Sequence, residues 1–70
     1  MSNVTKDGIE VRPGQVWRDL DTRMHGRTRE VLAVVDGKAH MGGGTPKTTV
    51  SISRMHKGST GWALVRDVAT

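Results

Sequence analysis

Arg27 to Met41, RTREVLAVVDGKAHM, is the stretch whose reading decides the fold. It reads as a β-hairpin with Asp36-Gly37 at the tip, because a type I′ turn needs positive φ at both central residues and Asp-Gly supplies it. Pairing Val35 with Lys38 sets Val34 opposite Ala39 and Leu32 opposite Met41. Side chains alternate faces along a strand. One face is then Leu32, Val34, Ala39 and Met41, all apolar. The other is Arg29, Val31, Ala33, Val35, Lys38 and His40, an apolar stripe with basic margins. The first face needs covering, and the rest of the chain must cover it.

Seventy residues make one domain, with an apolar fraction of 34% and two Trp as the only aromatics. A chain of this size buries about 60% of the surface it exposes unfolded, so its stability is small and its core aliphatic. There is no cysteine, hence no disulfide and no thiolate zinc site. No apolar run reaches the length of a membrane span and the N-terminus lacks the apolar centre of a signal peptide, which leads to the expectation of a cytoplasmic protein with no membrane partner. The net charge is +4, eleven Lys and Arg against seven Asp and Glu, compatible with nucleic acid or another acidic partner.

Residues 1–10 are polar and without period, and are expected to form a flexible arm. The domain proper is expected over 11–68. Val11-Arg12-Pro13-Gly14 is a turn. Gln15 to Arg18 follows as a strand, with Val16 assigned inward and Trp17 outward or against the arm. Asp19 to Gly26 is a polar loop, longer than most connections and rich in candidate function. After the hairpin, Gly42-Gly43-Gly44-Thr45-Pro46-Lys47 breaks the chain. Thr48 to Ser53 alternates as a strand, Arg54 to Lys57 reads as one helical turn, and Trp62 to Val65 is the last strand. Short strands with turn signals between them indicate a small closed all-β barrel. The expected core is Val16, Leu32, Val34, Ala39, Met41, Val50, Ile52, Met55, Trp62 and Leu64, with Leu32→Ala expected to cost about 2–5 kcal/mol.

Val11-Arg12-Pro13-Gly14-Gln15-Val16-Trp17, the Gly26-Arg27 start of a Val-rich strand-turn-strand, the Thr-rich strand with its helical turn and the Gly-Trp-x-Leu-Val ending resemble an SH3-like barrel. The match spans about Val11 to Val65. It is similar to small proteins of actinobacteria and their phages, and more distantly to KOW-type modules. The resemblance implies a five-stranded SH3-like barrel, a phage or bacterial setting in the host cytoplasm, and no particular activity. Gly14-Gln15-Val16-Trp17 with Asp19-Leu20-Asp21 also resembles the opening of PemK-like mRNA interferase toxins. Arg27 corresponds to that family's arginine, no position here corresponds to its hydroxyl residue, and the chain stops before the family's later strands and helix.

His25, His40 and His56 have no partner at ligand spacing, so neither a metal nor a cofactor is expected. Gly42 to Thr48 lacks the spacing of a phosphate loop and is followed by a strand instead of a helix. The chain is therefore read as non-enzymatic. The basic groups carry the functional reading. Arg18, Arg23, Arg27 and Arg29 lie on the first strand, the long loop and the hairpin base. Lys47, Arg54 and Lys57 flank the fourth strand, and Trp17 is the aromatic assigned outside. These eight form the candidate nucleic-acid surface, with arginines neutralising phosphates and the indole stacking a base. The alternative pairs the arginines with Asp19, Asp21 and Glu30. A second class of function is a protein-interaction module that modulates a host protein, or a homodimer, through Val31, Ala33 and Val35.

Overall fold

Five antiparallel strands form one sheet in this computed structural model, which describes residues 3–42 and 48–68. They are β1 (Val16–Asp19), β2 (Thr28–Val35), β3 (Lys38–Gly42), β4 (Thr48–Ser51) and β5 (Trp62–Arg66), in the spatial order β4-β3-β2-β1-β5. A 3-10 turn at Ile52–Arg54 links β4 to β5, and another at Thr22–Met24 lies in the β1–β2 loop. This is the all-β arrangement of five antiparallel strands that the sequence predicts; β4 and β5 stand at its two edges and do not pair with each other, so among the described residues the strand ladder does not close on itself. The helical turn begins at Ile52 instead of Arg54, so β4 is shorter than the alternation suggests. The Gly43–Lys47 connector lies outside the described residues.

The hairpin forms with the expected turn. Asp36 and Gly37 take φ of 52° and 73°, and Val35 faces Lys38, Val34 faces Ala39 and Ala33 faces His40. One residue further the register shifts: Val31, not Leu32, stands opposite Met41. Leu32 is the extra residue of a β-bulge. A bulge inserts one residue, bends the strand and inverts the side-chain phase beyond it. Val31 is therefore fully buried, whereas Leu32 is 52% exposed and lies over the backbone of Gly42. The expected face of Leu32, Val34, Ala39 and Met41 is corrected to Val31, Val34, Ala39 and Met41.

The expected facing is also reversed in β1. Trp17 is 1% exposed and belongs to the core, while Val16 is half-buried. The structural core is Val11, Trp17, Val31, Ala39, Met41, Val50, Ile52, Met55 and Trp62, with Ile9, Val34 and Leu64 packed on it. Trp17 lies between Arg29 of β2 and Leu64 of β5 in the sheet, and its Nε1–H donates to Gln15 Oε1 at 3.1 Å. A buried indole needs such an acceptor.

The described part of the N-terminal segment is a small hairpin where a flexible arm was expected. Val4 and Glu10 bridge, Val11 N–H donates to Asn3 C=O, and Thr5 N–H donates to Ile9 C=O. Thr5 is buried and its Oγ1 accepts from Ile9 N–H. Asp7 ties the hairpin to the segment between the second 3-10 turn and β5 by accepting from Lys57 N–H at 3.0 Å. Deleting residues 1–8 removes these contacts. A thermal melt should fall by about 5 °C or more, the shift that roughly 1 kcal/mol produces in a domain of this size. An unchanged melt would mean that the hairpin adds nothing to the barrel.

Candidate functional site: a cleft along the edge of the fourth strand

Asp19, Arg27 and Trp62 stand together where β1 ends and β2 and β5 begin. Asp19 is directly opposite Trp62 in the register. Its carboxylate accepts from Arg27 Nε at 2.9 Å and from Asp21 N–H at 3.0 Å. Asp19 is 5% exposed, and burial of a charge on this scale requires such partners. The Arg27 guanidinium carbon lies 5.7 Å from the centre of the Trp62 ring, within cation–π range. Arg27 is thus pinned by its Nε edge, and its two terminal nitrogens make no hydrogen bond among the described residues.

The loop above is fixed by a second pair. Asp21 caps the 3-10 turn by accepting from Arg23 N–H at 3.0 Å, and the Arg23 side chain doubles back onto both carboxylate oxygens at 3.1 and 2.7 Å. These bonds, the side-chain ones foremost, pull the Asp21 carboxyl down to about 2. The sign follows from linkage: a carboxyl whose folded value is depressed stabilises the fold at every pH above its unfolded value near 4, and the contribution is lost as pH falls towards 2. An NMR titration of the Asp21 carboxyl should therefore show it ionised throughout pH 4–8. A midpoint near 4 would mean that the Arg23 clasp is not kept in solution.

These residues form one side of a cleft of about 280 Å³. The other side is β4, and all four of its residues, Thr48, Thr49, Val50 and Ser51, line the cleft, followed by Arg54. Neighbouring side chains of a strand point to opposite faces, so four consecutive residues can line one cleft only if it runs along the strand's edge. The ladder phase gives the same answer. Ile52 N–H donates to Gly37 C=O at 3.0 Å, which makes Ile52–Gly37 a bonded pair. Bonded and non-bonded pairs alternate. Val50–Ala39 is then bonded and Thr49–His40 is not. The N–H and C=O of Thr49 and the N–H of Ser51 point away from β3, and β4 pairs with no other strand among the described residues.

Of the expected nucleic-acid surface, Arg23, Arg27 and Arg54 meet at this cleft. Arg54 makes no ion pair among the described residues. The others do not join them. Arg18 is exposed and rests its guanidinium against Gly26. Arg29 sits opposite Trp17, donates to Thr28 C=O and leaves its buried Nε without a partner. Lys57 is exposed near the N-terminal hairpin, and Lys47 lies outside the described residues. Trp17 is in the core, so its indole face is closed to a base. The stripe Val31, Ala33 and Val35 is broken by the bulge: Val31 is buried, Ala33 half-buried and Val35 exposed. Asp19 and Asp21 pair with arginines, as the alternative reading held, whereas Glu30 makes no ion pair among the described residues. The roles of Thr49, Ser51 and Trp62 were not foreseen, because a strand edge has no signature in side-chain alternation.

Among the described residues no group of three or more His, Asp or Glu is placed to hold a metal ion, and no helix is long and apolar enough to cross a membrane. The fold and the cleft define a small all-β domain with an open strand edge flanked by arginines. Comparison with protein-family models, curated proteins and solved structures finds no match to this chain.

Proposed function

We propose that this chain is a non-enzymatic protein-interaction module that takes an extended segment of a partner along the open edge of β4. The observation that carries this reading is the cleft lined by four consecutive strand residues, with the N–H and C=O of Thr49 and the N–H of Ser51 directed into it. An edge that offers both donors and acceptors complements another polypeptide, the mode called β-augmentation. The cleft also lacks the makings of general acid–base chemistry. Asp21 is held ionised by Arg23, and both oxygens of Asp19 are occupied by Arg27 and Asp21 N–H. A contact of this size belongs to weak, transient binding, as suits a phage or bacterial module that modulates a host protein.

The second reading, nucleic acid, is favoured by the convergence of Arg23, Arg27 and Arg54 on one cleft. Two of those three charges are answered by Asp21 and Asp19, which leaves one for a phosphate. The two readings separate on Ser51. Its φ is −66°, the value proline imposes, and its N–H is not part of the ladder. Ser51→Pro therefore removes one edge donor without disturbing β3–β4, and Ser51→Ala removes only the hydroxyl. A random heptapeptide display library panned on the full chain should yield binders that lose about tenfold in affinity on Ser51→Pro and little on Ser51→Ala, the cost of one unmade hydrogen bond. Both variants should melt like the parent. Failure to enrich any peptide, or equal binding by Ser51→Pro, would overturn the proposal. Labelled duplex DNA and single-stranded RNA, titrated from about 20 to 200 mM salt, test the other reading, for which Arg54→Gln should flatten the salt slope by roughly one unit.

A further inference from the structure

The charge along the β4 edge narrows the kind of segment it accepts. The cleft holds three arginines and two aspartates, and each aspartate is matched to an arginine by a hydrogen-bonded ion pair at 2.7 or 2.9 Å. One positive charge remains, and it belongs to Arg54, at the end of the 3-10 turn that continues β4. Arg27 adds donors without adding net charge. Its Nε is committed to Asp19 and its plane to Trp62, so its terminal nitrogens are held in place before any ligand arrives. A pre-positioned guanidinium loses little side-chain freedom when it forms a hydrogen bond.

We infer that the segment docking on β4 carries one acidic side chain, held by Arg54 and the free end of Arg27. The inference rests on the peptide-binding reading and adds the partner's chemistry to it. Arg54 thus selects an anionic visitor. Charge and edge act on different groups: the backbone supplies the register and Arg54 the choice of side chain.

The test uses the same heptapeptide library on the full chain, with Arg54→Gln panned in parallel. Binders of the parent should share one Asp or Glu amid β-branched residues. Replacing that residue by its amide should weaken binding about fivefold near 20 mM salt and less at 200 mM, since screening acts on exposed pairs. Against Arg54→Gln the acidic preference should vanish while the β-branched pattern stays. Light scattering should show a monomeric parent at the concentrations used. Peptides that need the Ser51 N–H but show no acidic preference would overturn this inference and leave the β4-edge reading standing. A parent dimer dispersed by Ser51→Pro would overturn it too, by making the second copy the occupant. Loss of the Ser51 dependence itself would remove both.

Discussion

Replacing Trp17 with alanine is expected to cost about 3–5 kcal/mol, roughly half of the chain's stability. The indole is 1% exposed, on the inner face between β2 and β5. Truncating a buried Trp costs about 3–5 kcal/mol, from lost transfer energy and from the cavity left behind. A 70-residue domain holds roughly 4–10 kcal/mol in all, at 0.05–0.15 kcal/mol per residue. At the middle of both ranges the loss is about half of the total. Leu32→Ala is the matched control, expected to cost less than about 1 kcal/mol because its side chain is half in water. Urea titrations followed by far-UV circular dichroism compare the two. If Leu32→Ala proved the more damaging, the bulge and the burial of Trp17 would both be wrong.

That pair of residues shows what the sequence could and could not say. Asp36-Gly37 fixed the turn, and the register ran true through Val35, Val34 and Ala33. The bulge at Leu32 left no mark, because Val31, Leu32, Ala33, Val34 and Val35 are all apolar and either phase of the strand looks the same. In β1 the difficulty was reversed. Gln15, Trp17 and Asp19 share one phase, and two polar residues beside a Trp suggest an outer face. The structure buries all three, at 0%, 1% and 5% exposure. It can do so because each polar group finds its partner elsewhere in the chain, Asp19 in Arg27 and Gln15 in four separate groups. Alternation reads hydrophobicity, and a satisfied buried polar group is invisible to it. The cleft was half legible for the same reason: its arginines stood out as charges, but the open edge of β4 is a property of backbone pairing.

Gln15 gives the second large effect. Its side chain is wholly buried and fully bonded. Oε1 accepts from Arg12 N–H at 2.9 Å and from Trp17 Nε1–H at 3.1 Å. Nε2 donates to Glu10 C=O at 2.8 Å and to an Asp67 carboxylate oxygen at 2.9 Å. One amide thus ties the N-terminal hairpin, the core tryptophan and the segment after β5 into a single network. Leucine has nearly the same size and no polar atoms. Gln15→Leu strands the Arg12 and Trp17 donors and the Glu10 carbonyl. A buried stranded group costs about 1–3 kcal/mol. Because only the Trp17 bond is fully buried and the other two are part-buried, a total loss of roughly 2–5 kcal/mol is expected. The loss carries a signature that a packing defect would not. In the parent the Gln15 side chain, and after it Val68 N–H, hold the Asp67 carboxyl below the usual carboxylate range. That contribution to stability is present above the unfolded value near 4 and fades as pH falls below it. In Gln15→Leu the Asp67 titration should move up towards an ordinary aspartate, and the stability profile below pH 4 should flatten. An Asp67 midpoint unchanged by the substitution would show that Gln15 does not reach it in solution, and the network would then end at Trp17.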